Sequence, residues 1–163
     1  MNADETDLQI LVAELESDLK NLEELADKNR KAEARVQNGT PDELDWAALG
    51  YTIHNIYNLI ENSFLRIVKY FETSLSPDTW HKDLLRRMTL KIEGVRPAVL
   101  SEDLAERIDD LRSFRHVFRN MYQKTLDPER LQLLQKRLGP TLSEYRRSIE
   151  RFVALLRASE RGE

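Results

Sequence analysis

The chain has 163 residues, of which 33% are charged, with a net charge of −4 and no cysteine. That length suits one domain with a sizeable core, and only five glycines and five prolines favour long helices over a sheet protein with many turns. Disulfides and thiolate chemistry are excluded, and the acidic balance argues against a broadly basic nucleic-acid surface, so any such contact should be local.

The acidic start, Met1 to Asp7, is unlike a signal peptide. The apolar stretches, interrupted by charges, fall short of the ~20 residues of a membrane span. A soluble, cytoplasmic protein with no membrane contact is the expectation. From Thr6 or Asp7, the residues Leu8, Leu11, Leu15, Leu19, Leu22 and Leu25 recur every three or four positions, which predicts a long first helix. Its narrow leucine seam suits a second helix, either in this chain or in another copy. Asn38-Gly39 supplies a stop, after which Thr40-Pro41-Asp42-Glu43 reads as a cap, a proline at the first helical position and acids in the first turn.

The central helix follows, with a minor break allowed near Leu44-Asp45 and a broad apolar face through Trp46, Leu49, Ile53, Ile56, Ile60, Phe64, Ile67 and Phe71. On one flank His54, Tyr57 and Glu61 project in similar directions, so they can form a polar edge. A carboxylate beside Leu65 and Val68 needs a partner once buried, and Arg115 is the expected one. Ser76-Pro77-Asp78 ends this helix, and Asp78 or Thr79 can cap a short third one carrying Trp80, Leu84, Leu85 and Met88. Its Arg86 and Arg87 read as solvent-facing, with a contribution to a groove alongside His81 as the alternative. Gly94 and Pro97 predict an ordered loop across the bundle.

Ser101 caps a fourth helix, expected over about 101–125, in which Leu104, Ile108, Leu111, Phe114, Phe118 and Met121 form the apolar stripe. Arg115 falls in line with Leu104 and Ile108 at about 100° per residue, and Arg119 and Tyr122 project within roughly 40° of it. No acid occurs from Arg112 to Lys124, so four positive charges and His116 share this stretch. Arginines so placed either lay their stems over the bundle with heads in water or serve a site. Asp127 and Pro128 open a fifth helix whose apolar phase continues through Gly139-Pro140, which predicts one kinked helix. The fold expected is all-α, a four- to five-helix up-and-down bundle forming a single domain over 1–163. Three histidines without paired ligand spacing give no zinc signature, and no phosphate loop or nucleophile elbow is visible.

Arg115, four residues, Asn120, one residue and Tyr122 together resemble the Arg-x4-His-x-Tyr motif of HepT-type toxins in the HEPN superfamily, with Asn120 in the histidine position. The segments Trp80 to Met88 and Gly94 to Val99, in that order before an Arg115-His116 pair, are similar to the HepT-like subgroup, and the likeness covers most of the chain from about Trp46. The resemblance implies a HEPN-like helical domain and the toxin of a toxin-antitoxin pair, a metal-independent endoribonuclease that needs no cofactor. Its implied partners are RNA, a minimal nucleotidyltransferase antitoxin and a second copy in a homodimer. Carried over to the matching position, Arg115 would hold the phosphate; Arg112, Arg119 and Glu61 are further candidates for contact with the substrate. Tyr122 would border the site and receive AMP from the antitoxin. Asn120 cannot act as a base, because an amide has no usable proton affinity near neutral pH. His116, on the neighbouring turn of the same face, is the candidate base, with Asn120 orienting the substrate. The alternative is a non-catalytic binding partner or modification target of the nucleotidyltransferase.

Overall fold

In the computed structural model, which describes residues 3–72, 80–119 and 126–162, the leucine seam of helix α1 (Ala3–Gln37) lies against α2 (Glu43–Phe71). Leu11, Leu15, Leu19 and Leu22 are buried there, and the helix continues through the charged run because Asn29, Ala32 and Val36 also turn inward. A seam of leucines alone can slide by a turn; buried polar ties fix its register. Asn29 Nδ2 donates to Thr52 Oγ1 and to Gln135 Oε1, both at 2.9 Å, and Gln135 Nε2 donates back to Asn29 Oδ1 at 2.7 Å. Nearer the other end, Asp18 Oδ2 accepts from Ser63 Oγ at 2.9 Å and from Arg66 Nε at 3.2 Å. The seam is therefore satisfied within this chain.

Helix α2 starts later than the sequence suggested. Asp42, not Thr40, is its cap, because Asp42 and Asp45 accept each other's backbone N–H at 3.0 and 3.1 Å and so satisfy two donors at once. Pro41 consequently lies outside the helix, and no break occurs at Leu44-Asp45. With Ile53, Ile56, Ile60 and Ile67 fully buried, α2 packs against every other helix: α1, α3 (Trp80–Met88), α4 (Glu102–Arg119) and α5 (Pro128–Glu160). Gly50 lets α4 come close, since a Cβ there would sit 3.2 Å from Phe118 and 3.3 Å from Phe114 and Leu126.

Ser101 and Asp127 cap α4 and α5 as expected, accepting from the N–H groups of Leu104 and Glu129. Helix α5 runs unbroken past Pro140, and Thr141 Oγ1 donates to the Arg137 carbonyl at 2.8 Å beside the bond that proline cannot make. The loop between α3 and α4 is ordered by a bridge between Ile92 and Arg96, with Gly94 at φ 72° in the turn. Arg96 is the buried anchor of this loop, bonding Glu72 together with the carbonyls of Arg87, Leu90 and Pro97. Arg86 is solvent-facing as expected, but Arg87 is not, because Glu72 and Asp83 draw it inward at 3.0 and 2.9 Å. Among the described residues the architecture is five α-helices in one bundle, with no strand. No helix among them is long and apolar enough to cross a membrane. The expected caps at Asp78 or Thr79 and the end of the motif helix beyond Arg119 lie outside the described residues.

Candidate functional site

Four polar side chains share one face of α2 at helical spacing: His54, Tyr57, Asn58 and Glu61. Helices α3 and α4 close over them. The Tyr57 hydroxyl is buried and donates to Glu61 Oε2 at 2.6 Å, and the same oxygen lies 2.6 Å from Nδ1 of His81 on α3. Burial pushes the Tyr57 hydroxyl far above its ordinary range, reinforced by the bond to Glu61 and by its charge, against the pull of Arg112 and Arg115. It stays a donor. The Trp80 and His81 rings lie with centroids 3.5 Å apart, and the His81 side chain remains 29% exposed.

One turn away, Arg115 Nε on α4 donates to Asn58 Oδ1 at 3.3 Å. That contact turns the amide so that Asn58 Nδ2 faces His54 Nε2 at 3.1 Å. The amide donates, so Nε2 accepts and the proton resides on Nδ1, which is buried without a partner. The ring stacks on Phe118 with centroids 5.0 Å apart. Burial lowers the His54 pKa, Arg115 and Arg119 lower it further, and Glu61 opposes them, so this imidazole is neutral near neutral pH.

The polar edge of His54, Tyr57 and Glu61 thus exists, but its expected cation does not complete it. Glu61 is held by Tyr57 and His81, and Arg115 reaches Asn58 instead, because His81 arrives from α3 at the carboxylate first. Arg112 turns back to Asp109, with Nε 2.6 Å from Oδ1. That bond raises its pKa against desolvation, with the charges of Asp109 and Glu61 adding to it. Arg119 and His116 are exposed at the end of the described part of α4, whereas Asn120 and Tyr122 lie outside the described residues.

Arg115 differs from the other enclosed arginines. Among the described residues, every other arginine that is at least half-buried, namely Arg66, Arg87, Arg96, Arg107, Arg112 and Arg146, has a carboxylate within ion-pair distance. Arg115 has a neutral amide. A groove of about 660 Å³ between α3 and α4 lies elsewhere and carries Asp83, Glu106, Asp109 and Asp110 against Lys82 and Arg86, a lining that repels phosphate. No group of three or more His, Asp or Glu among the described residues is placed to hold a metal ion.

Asn58 and the role of His81 escaped the reading of the sequence. Asn58 was available to it, four residues after His54 and three before Glu61 on the same face. The His81 contact depends on how the loop docks α3, for which helical spacing carries no signal.

Fold and site together define an all-α bundle in which a helix carrying Arg115 is laid over a buried polar strip. Residues 48–156 match the family model described as HepT-like protein, and the chain belongs to that family. Such membership supports a toxin-like protein of HEPN type and a toxin-antitoxin context in general. Neither the curated proteins nor the solved structures contain a match.

Proposed function

We propose that this chain is the toxin of a toxin-antitoxin pair and cuts RNA without a metal, using Arg115 at the scissile phosphate. The observation that carries the reading is the neutral partner of Arg115: its guanidinium is held in place by Asn58 while its charge is left for an anion. Arg119 adds a second, exposed cation on the same helix. The chemistry suits RNA, whose 2′-hydroxyl attacks the adjacent phosphate once a base takes its proton, while a cation stabilises the charge that builds up. Two copies related by a two-fold axis would bring two such clusters into one groove. A minimal nucleotidyltransferase would neutralise the toxin by placing AMP on Tyr122, adding negative charge and bulk beside the phosphate position.

Asn120, where a histidine is expected, favours a second reading: a protein that binds the nucleotidyltransferase without cutting RNA. Incubating purified chain with RNA in EDTA, with and without a minimal nucleotidyltransferase, separates the two. Breakdown that the partner suppresses supports the first. Intact RNA together with a stable complex between the proteins supports the second.

A further inference from the structure

An RNase that works through a 2′-hydroxyl needs a proton acceptor, and the position where the family motif supplies one is an amide in this chain. Only three histidines exist. His54 is disqualified by its surroundings: Nε2 is occupied by the Asn58 amide, Nδ1 is buried, and one ring face is covered by Phe118. His116 is exposed on α4, close to the end of the described part of that helix.

His81 is differently built. Its Nδ1 meets the buried carboxylate of Glu61 at 2.6 Å, and Tyr57 braces that oxygen from behind, also at 2.6 Å. Trp80 lies against the ring. A carboxylate accepting from Nδ1–H sets the tautomer so that Nε2 offers its lone pair, and it stabilises the imidazolium formed when Nε2 takes a proton. Nε2 carries no hydrogen bond to any described residue. Glu61, which holds His81, and Asn58, which holds Arg115, are three residues apart on α2, about 4.5 Å along its axis. Imidazole and guanidinium therefore flank one turn of the same helix.

We propose that His81, positioned by Glu61, is the general base for RNA cleavage in place of the motif histidine; this rests on the RNA-cleaving reading above. Nε2 takes the 2′-hydroxyl proton, O2′ bonds to phosphorus as the P–O5′ bond breaks, and the departing O5′ takes a proton from water. The products are a 2′,3′-cyclic phosphate and a 5′-hydroxyl, and the imidazolium returns its proton to solvent. Glu61 touches no reacting atom and acts through the ring.

The test uses the full chain and an RNA oligonucleotide, with its 2′-O-methyl counterpart as the blocked control. His81→Asn places an amide N–H where Nδ1 meets Glu61 but has no basic nitrogen, so a role in docking α3 is preserved while the base is lost. With circular dichroism and melting unchanged, kcat should fall about 100-fold or more with KM within about threefold, the scale of a lost general base. The acid limb of the pH profile should vanish, and added imidazole should restore cleavage by His81→Ala. Unchanged kcat in His81→Asn overturns the assignment, as does a loss confined to His116→Ala. A wild-type chain that leaves the RNA intact removes the RNA-cleaving reading itself, and the base with it.

Discussion

Arg96→Ala probes the segment that carries His81 to Glu61. The Arg96 side chain is fully buried, and its Nε and Nη2 both bond Glu72 Oε1, the Nε contact at 2.9 Å. Nη2 also donates to the Arg87 carbonyl at 3.0 Å, and Nη1 to those of Leu90 at 3.0 Å and Pro97 at 3.3 Å. One guanidinium thus ties the residue after α2 to the end of α3 and to both sides of the loop. Truncation leaves three carbonyls short of a donor and Glu72 with Arg87 as its remaining cation, 3.0 Å away. Removing one partner of a buried pair costs about 3–5 kcal/mol. At roughly 2–4 °C per kcal/mol for a chain of this size, the melting temperature should drop by about 6–20 °C. Arg96→Lys should recover less than half, because one ammonium cannot reach a carboxylate and three carbonyls arranged for a planar fork. Urea unfolding followed by circular dichroism measures both variants. A loss below about 1 kcal/mol for Arg96→Ala would refute the anchoring role, since even an ordinary hydrogen bond contributes on that scale.

Gly50→Ala sets a helix-propensity gain of about 1 kcal/mol against overpacking of about 1–3 kcal/mol, because the new methyl lands 3.2–3.3 Å from Phe118, Phe114 and Leu126. A net loss in urea unfolding is expected, and a gain in stability would show that α4 yields freely. His54 has a folded pKa below its ordinary value of 6.5, so its contribution is fully present above that value and is lost as pH falls, when the unfolded chain takes up a proton that the folded one resists. Unfolding free energy should therefore decline from pH 7.5 to 5.5 more steeply in wild type than in His54→Gln; equal slopes would remove His54 as the cause. Coexpression with the nucleotidyltransferase should add one AMP at Tyr122, located by mass spectrometry, and an adduct elsewhere would defeat that mode of control. Light scattering should find a homodimer at micromolar concentration, against which a monomer would count directly.

The helices were legible because each carries its own period and its own stop: the leucine seam of α1, the isoleucine face of α2, Ser101 before α4 and Asp127-Pro128 before α5. The start of α2 was misplaced because Thr40-Pro41 reads as a cap and a first helical proline, with Asp42 and Glu43 as first-turn acids, and only the reciprocal bonds of Asp42 with Asp45 put the cap at Asp42. The polar edge on α2 was legible from spacing for the same reason the helix was. Its partners were not, since they depend on which helix arrives at Glu61. Arg115 had the charge, yet His81 had the position, set by a loop whose order comes from buried Arg96 rather than from any periodic pattern. The loop's glycine and proline announced order without showing what enforced it.

Cleavage of RNA in EDTA by wild type, Arg115→Ala and Arg146→Ala is the most direct measurement of the central claim, because both arginines are half-buried while Arg146 pairs with Glu23 at 2.8 Å and Arg115 with an amide. With the fold intact by circular dichroism, Arg115→Ala should lose about 100-fold or more in rate, the scale of removing one donor from a developing oxyanion. Arg146→Ala should cut as wild type does. RNA cut equally fast by Arg115→Ala would contradict the assignment of that cation to the phosphate.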